Sequence, residues 1–252
     1  MGKYSIKKIL NRLLCRTPKL YASLIQIFNA KDLRHKCVYL EYVKAGDYVI
    51  DVGANYGIIT LLLSDITGRK GKVFSYEALV PVFETLQKNL RALRFYDNVC
   101  AFNLAVSDSN EMISITVPGD DFGQASMKTH QTGSWLLSDK ITSYQCQGIQ
   151  LDEHLKGGAK IDFIKLDIEG AELLALKGAV DILKRFKPVL YIEIYKGWTK
   201  EFGYHPIDIY QFLYELGYRK FIVETPETKF EVKNAELELD LNCSADMICI
   251  FE

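Results

Sequence analysis

From residue 47 onward, the hydrophobic positions alternate between short apolar runs and longer amphipathic stretches. Short apolar runs bounded by polar residues are typical of buried strands. They predict strands at 48–52, 72–76, 98–102, 161–166 and 188–192, with further strands near 219–224 and 246–251. Between them, apolar residues at helical spacing predict helices at 57–66, 81–93, 171–185 and 206–217. Alternating strands and helices favour an α/β fold whose mostly parallel sheet is covered on both faces.

Two stretches depart from this alternation. Residues 111–117 alternate polar and apolar side chains, which predicts an inserted or edge strand. Residues 118–148 are rich in Gly, Ser, Asp, Thr and Gln and show no clean period. They predict a long loop, which is either a lid that faces the substrate or a disordered connection.

Residues 1–46 are interpreted as a helical, basic extension that precedes a domain at 47–252. Apolar residues recur at helical spacing on both sides of Pro18, which predicts two short amphipathic helices. Residues 1–36 hold nine basic residues and one acid, a local charge of +8, whereas the whole chain carries −1. We expect the basic face either to be solvated or to make peripheral contact with an anionic membrane surface or a phosphate-bearing substrate.

The composition narrows the function classes. A net charge of −1 argues against nucleic acid as a partner. The six cysteines are scattered without a C-x-x-C pair, which indicates a reducing compartment rather than a zinc site or a disulfide framework. No apolar run approaches the roughly 18 residues that a transmembrane helix needs, and we expect a cytoplasmic location.

The most informative segment is Val49–Gly57, with the sequence VIDVGANYG. A strand ends near Asp51, and a turn with two glycines leads into the helix at 57–66. Glycines let the backbone turn sharply and a ligand approach closely, and the helix behind the turn points free N–H groups at that ligand. A dinucleotide-binding turn reads G-x-G-x-x-G, but Asn55 occupies its central glycine position. Because Asn tolerates left-handed backbone angles, the turn is still predicted to form.

Glu77 closes the second strand, twenty residues past Gly57. Open α/β sheets bind ligands beyond the carboxyl ends of their strands, where this acid and the glycine turn both lie. A carboxylate in that place can accept hydrogen bonds from both ribose hydroxyls of a nucleoside whose remaining part lies on the glycine turn. One nucleoside ligand would therefore explain both features.

Three further acids, Asp167, Glu169 and Glu193, follow the fourth and fifth strands and are predicted to meet at the same edge of the sheet. Such crowding is costly unless a cation or a proton offsets it. Three explanations compete: the acids bind the ammonium group of a cofactor, serve as a general base, or bind a divalent cation through their oxygens. Capping of a helix start is the competing interpretation for Glu169 and Glu172. Lys165, inside the fourth strand, is expected to pair with a nearby acid.

In their order and spacing, these segments resemble the FkbM family of methyltransferases. The resemblance spans roughly residues 47–195 and rests on Ile50–Gly57, Tyr76–Ala78, Asn103–Asp108, Leu151–Asp152, Asp162–Glu172 and Ile192–Glu193. Ala78 departs from the family pattern, which usually has proline there.

The resemblance implies a class I methyltransferase fold, with a Rossmann-like, doubly wound, seven-stranded sheet, and S-adenosylmethionine as cofactor. It also implies O-methylation, typically of sugar or polyketide hydroxyls, so the expected partner is a small-molecule or glycan acceptor. Carried over by position, the methionine end is held by Asp51, Gly53, Asn55 and Gly57, the ribose by Glu77, and the adenine is bordered by the loop of Ala105.

Methyl transfer is an in-line displacement, so most of the catalysis is expected from positioning of the acceptor oxygen. The hydroxyl must also lose its proton, for which Asp167 and Glu193, with Glu169 beside them, are the candidate catalytic groups. A divalent cation such as magnesium, held by Asp167 and its neighbours, could instead acidify the hydroxyl.

Two alternatives come from other function classes. A nicotinamide-dependent oxidoreductase would share the fold, but its G-x-G-x-x-G is missing. A binding module with a degenerate cofactor site would predict damage to the turn or to Glu77, and neither is damaged.

Overall fold

The computed structural model describes residues 37–92, 97–158 and 160–252. The strands are β1 (Tyr48–Val52), β2 (Lys72–Tyr76), β3 (Val99–Phe102), β4 (Ala105–Val106), β5 (Met112–Pro118), β6 (Ile141–Ile149), β7 (Phe163–Leu166), β8 (Val189–Ile194), β9 (Tyr218–Glu224), β10 (Lys229–Glu231) and β11 (Ala245–Phe251). The helices after β1 are α1 (Ile58–Thr67), α2 (Val80–Ala92), α3 (Ser134–Leu137), α4 (Leu151–His154), α5 (Glu172–Lys177), α6 (Val180–Phe186), α7 (Lys196–Thr199), α8 (Pro206–Glu215) and α9 (Ala235–Glu238). No helix in these ranges is both long enough and apolar enough to cross a membrane.

Eight strands form the main sheet, in the order β10–β9–β11–β8–β7–β1–β2–β3. The five strands from β8 to β3 pair in parallel, whereas β11 runs antiparallel to both β8 and β9. This confirms the predicted α/β fold with a mostly parallel sheet. The sheet has one strand more than the predicted seven, because β10 forms a hairpin with β9 and extends the edge.

The apolar runs located the parallel strands well. The predicted strands at 48–52 and 72–76 agree with β1 and β2 residue for residue. The helix predicted at 171–185 is instead two helices, α5 and α6, that are interrupted at Gly178. A Cβ on Gly178 would lie 2.0 Å from the carbonyl oxygen of Ser107, so only glycine allows this close approach of the two backbones.

The long loop predicted at 118–148 is wrong. Residues 141–149 form β6, which pairs antiparallel with β5 and also pairs in parallel with β4, giving a separate three-stranded sheet. β5 confirms the strand predicted at 111–117. Residues 119–140, which we call the inserted segment, connect the two long strands and contain a 3₁₀ turn at Phe122–Gln124 followed by α3.

The main sheet has apolar clusters on both faces. On one face, residues 37–42 are helical, and Val38, Tyr39 and Val43 are buried against the sheet. The ring of Tyr39 lies 6.0 Å from that of Phe163 and 5.4 Å from that of Tyr191, measured between centroids. The last residues of the predicted extension are therefore part of the core. Both predicted amphipathic helices and the basic face at 1–36 lie outside the described residues.

Candidate functional site

A cavity of about 150 Å³ lies beyond the carboxyl ends of β1, β2 and β7. Six of the nine predicted site residues line it, namely Gly53, Asn55, Glu77, Ala105, Asp167 and Glu169. β5 and the inserted segment complete the lining through Ile115, Phe122 and Met127. The inserted segment therefore borders the cavity, as a lid would. The other three predicted residues, Asp51, Gly57 and Glu193, lie beside the lining rather than in it.

The turn after β1 has the left-handed backbone that its sequence predicts. Gly53, Asn55 and Gly57 have φ angles of 76°, 51° and 90°. A Cβ on Gly53 would lie 1.9 Å from the carbonyl oxygen of Asp167, and one on Gly57 would lie 2.3 Å from Cδ1 of Leu86. Gly53 is thus required twice over, by its backbone angle and by the nearby backbone carbonyl, whereas Gly57 meets only the end of a side chain and is required by its backbone angle.

Glu77 holds this turn while it lines the cavity. Its Oε2 accepts a hydrogen bond from the backbone N–H of Asn55 at 2.9 Å, and its Oε1 accepts one from the N–H of Leu79 at 2.9 Å. Burial raises the pKa of Glu77 to about 7, against the opposing effect of the two N–H donors. Each carboxylate oxygen accepts more than one hydrogen bond, so both can still receive a ligand hydroxyl.

Asp51 lies behind the turn, with a fully buried side chain. Its Oδ2 accepts a hydrogen bond from Oγ1 of Thr60 at 2.7 Å, and its Oδ1 lies 3.3 Å from Nζ of Lys165. Nζ of Lys165 also lies 3.3 Å from Oδ2 of Asp167, which confirms the predicted acidic partner of this lysine. Burial works to lower the pKa of Lys165, but the carboxylates of Asp167 and Asp51 outweigh it, and the net shift is upward. Through its ion pairs with Asp51 and Asp167, Lys165 thus joins the end of β1 to the loop after β7.

The structure brings the three predicted acids together. One carboxylate oxygen from each of Asp167, Glu169 and Glu193 lies within 4.8 Å of the other two. The pKa of Glu193 is well above its usual value because the half-buried side chain is desolvated and faces Asp167, although Oγ of Ser244 donates a hydrogen bond to its Oε1 at 2.8 Å. Burial also raises the pKa of Glu169, and the charge of Asp167 adds to that effect.

Glu169 is placed unusually for a non-glycine residue. Its φ is 53°, in the left-handed region, and its side chain is 7% exposed. Such a conformation costs roughly 1 to 2 kcal/mol and persists only where the surroundings enforce it. The neighbouring Glu172 does so from the first position of α5, because its Oε1 accepts hydrogen bonds from the N–H groups of Ile168 and Gly170 at 3.1 and 3.2 Å.

The two acids assigned to capping therefore differ in role. Glu172 binds N–H groups of the loop before α5, and burial raises its pKa to about 7. Its Oε2 also lies 3.4 Å from the hydroxyl of Tyr204. Glu169 instead forms an acid cluster with Asp167 and Glu193, and its side chain contacts Gln124 of the inserted segment.

Sequence reasoning missed the residues that cover Glu169. Nε2 of Gln124 donates a hydrogen bond to Oε1 of Glu169 at 3.2 Å. The backbone carbonyl oxygen of Glu169 accepts hydrogen bonds from Oγ of Ser126 at 2.9 Å and from Nε2 of His130 at 3.1 Å. The ring of His130 packs 5.5 Å from that of Trp135, which secures α3. The polar composition of this segment was the only signal, and it does not indicate which partner the side chains meet.

The order of the main sheet, with antiparallel β11 between β8 and β9 and a cavity at the ends of the parallel strands, defines a class I methyltransferase fold. A methyltransferase FkbM from Methylobacillus flagellatus KT superposes with a TM-score of 0.52 at 20% identity, over 81% of this chain and 43% of that chain. A protein provisionally described as an rRNA-methylase from Clostridium thermocellum gives 0.51 at 17% identity, over 86% and 93%. At these identities the likeness concerns the fold alone, and this chain spans less than half of the first protein.

The family follows from the sequence. The Methyltransferase FkbM domain matches residues 51–220, which is more than half of the chain. The chain therefore belongs to this methyltransferase family, as the resemblance predicted. Curated proteins yield no match to the sequence. The glycine turn, Glu77 and the acid cluster all lie within the matched residues.

Proposed function

We propose that the protein is an S-adenosylmethionine-dependent O-methyltransferase that acts on a hydroxyl of a sugar, a glycan or a polyketide-type small molecule. The observation that carries this proposal is the cavity itself, which is lined both by Glu77 with the turn after β1 and by Asp167 and Glu169. Membership of the FkbM family supports methyl transfer as the reaction.

The lining of the cavity fits the proposed cofactor by its chemistry. Glu77 has acceptor capacity left on both oxygens for the two ribose hydroxyls. Apolar side chains near Ala105, including Leu79, Val106 and Ile115, offer the surface that a purine ring prefers. The turn from Gly53 to Gly57 brings backbone atoms close to the cavity for the methionine end, and Asp51 supports it from behind.

When bound, the cofactor supplies a methyl group on a positively charged sulfur. Transfer of that methyl group to the acceptor oxygen would leave S-adenosylhomocysteine and a methyl ether, and the hydroxyl proton would pass to a carboxylate at the site or to solvent. The contribution of this chain is to hold the acceptor in line and to favour proton loss. Asp167, Glu169 and Glu193 are the groups proposed for the second task, because their negative charge lies beside the cavity.

A binding experiment tests the cofactor. Calorimetric titration with S-adenosylhomocysteine should show one site per chain, and Glu77→Ala should weaken binding by about 1 to 3 kcal/mol, because ribose hydroxyls lose their acceptor. Glu84→Ala, which changes an exposed glutamate on α2, should bind like the unaltered protein. Circular dichroism of each variant should match, so that a loss of binding is not a loss of fold.

The acceptor is tested separately, with labelled S-adenosylmethionine and a panel of sugar, glycan and polyketide hydroxyls. A folded protein that does not bind S-adenosylhomocysteine would refute the proposal at the cofactor. A protein that binds it but labels only amines would refute O-methylation and leave methyl transfer standing.

A further inference from the structure

We infer that Asp167, Glu169 and Glu193 bind one divalent cation of the magnesium or manganese class. The site is inferred from these side chains alone, whereas its action on an acceptor rests on the proposed function.

The spacing of the three carboxylates fits a single cation. Hard divalent cations take oxygen ligands at about 2.0 to 2.6 Å, so ligands on one cation lie roughly 3 to 5 Å apart. The three carboxylates offer one oxygen each within 4.8 Å of one another, which fits this range. The ligand set consists of carboxylate oxygens only, and such a set selects magnesium, manganese or calcium over zinc or copper.

One buried oxygen of Glu169 has no hydrogen-bond partner among the described residues. Glu169 is 7% exposed, and its Oε1 accepts the hydrogen bond from Gln124. Its Oε2 is buried and has no hydrogen-bond donor among the described residues. An ionised carboxylate oxygen that has lost its water without replacement is strongly unfavourable. A cation held with Asp167 and Glu193 would supply the missing interaction.

Lys165 is the only basic residue among the described ones that forms an ion pair with an acid of this cluster. The single charge of Lys165 is shared between Asp51 and Asp167, with Nζ at 3.3 Å from each carboxylate. Within the described ranges, no lysine or arginine nitrogen forms an ion pair with Glu169 or Glu193. When ionised, Asp167, Glu169 and Glu193 would together carry more negative charge than Lys165 neutralises, and a divalent ion would balance it.

The place of the cluster gives the cation a task. Asp167 and Glu169 line the cavity, so a cation beside them is within reach of an acceptor oxygen. Three protein ligands leave further coordination positions for water or for that oxygen. A hydroxyl bound to a divalent cation loses its proton more readily, and the proton then passes to solvent.

Manganese is the probe for this site because free Mn²⁺ is counted directly by electron paramagnetic resonance. Titration of the full chain should show one saturable Mn²⁺ per protein, which added Mg²⁺ displaces. Glu169→Gln and Glu193→Gln keep the side-chain shape and should each weaken binding about tenfold or more, since even outer partners of a metal contribute that much. Asp181→Asn, which changes an exposed acid at the start of α6, should not alter binding.

The unaltered protein provides a second measurement that needs no variant. Mn²⁺ at saturating concentration should raise its melting temperature, because it binds the folded state. Absence of saturable binding, or binding that both glutamine variants retain, would overturn the inference. S-adenosylhomocysteine binding without Mn²⁺ binding would remove the cation and keep the proposed function. Mn²⁺ binding without S-adenosylhomocysteine binding would keep the site and remove its role in methyl transfer.

Discussion

At the scale of single residues, backbone angles and close contacts determine the shape of the turn after β1. Gly53 combines a φ of 76° with a backbone so close to Asp167 that a methyl group has no room. Asn55 takes a left-handed angle that few side chains tolerate, and Glu77 accepts the N–H that this angle exposes. Three features therefore determine the conformation of the turn: its left-handed backbone angles, the lack of space beside Gly53, and the hydrogen bond to the buried Glu77.

Gly53→Ala should destabilise the protein by about 2 to 5 kcal/mol, the sum of a strained backbone and an overpacked contact. The matched control is Gly46→Ala, because Gly46 has a φ of 94° but nothing within 4 Å of its would-be Cβ. Urea unfolding measures both variants. Equal losses for the two would show that the contact with Asp167 contributes nothing beyond the backbone angle.

At the scale of elements, the inserted segment packs onto the loop after β7. Ser126 and His130 bind the carbonyl oxygen of Glu169, and Gln124 binds its carboxylate. Trp135 is 7% exposed against His130, whereas Leu137 on the same helix is 88% exposed. The packing of α3 therefore depends on one aromatic contact rather than on the whole helix.

Trp135→Ala should loosen the inserted segment without unfolding the sheet. Removing a buried tryptophan should lower the free energy of local opening by about 2 kcal/mol or more. Hydrogen exchange at residues 119–140 should then speed up, while exchange in β1 and β7 stays slow. Leu137→Ala should leave both regions unchanged, and faster exchange throughout the sheet in Trp135→Ala would contradict a local role.

The elements also show why prediction succeeded in some places only. β1, β2 and β7 are buried on both faces, so their sequences are apolar runs that can be recognised without knowing the partner strand. Because parallel strands end at one edge, the same runs placed Glu77, Asp167 and Glu193 together. β6 has exposed polar side chains that alternate with less exposed ones from Ser143 to Gln147, but the polar composition of the segment hid this period of two. The contacts of Gln124, Ser126 and His130 with Glu169 depend on the pairing of β6 with β5 and were missed with it.

At the scale of the whole molecule, the domain buries Glu77, Glu169 and Glu172 near the carboxyl ends of its parallel strands, and Glu193 is half-buried there. Burial is the main cause of the raised pKa of Glu77, Glu169, Glu172 and Glu193, with about 7 for Glu77 and Glu172. Glu77 and Glu172 therefore hold protons in the folded state at a pH where the unfolded chain has released them. Their contribution to stability is fully present below the usual pKa of glutamate and is lost as the pH rises through about 7.

The free energy of unfolding should therefore fall between about pH 6 and pH 8 in the absence of divalent cations. Burial of His130 and partial desolvation of the exposed His154 lower their pKa values, so both oppose the trend below the usual histidine pKa of about 6.5, where the unfolded chain binds their protons, and the fall is clearest above that pH. Urea unfolding at several pH values in a chelating buffer measures the slope. Glu172→Gln should make the slope shallower, and a stability that rises with pH would contradict the burial of protonated acids.

The close approach of Gly53 to Asp167 also has a thermodynamic consequence for two ligands. The turn proposed for the cofactor touches the backbone of the loop proposed for the acceptor and the cation, and the N–H of Asp167 binds the carbonyl oxygen of Val52 at 3.3 Å. A displacement on either side is passed to the other, because neither backbone has space to absorb it. Affinity at one subsite then depends on occupancy of the other, and linkage requires the factor to be the same in both directions.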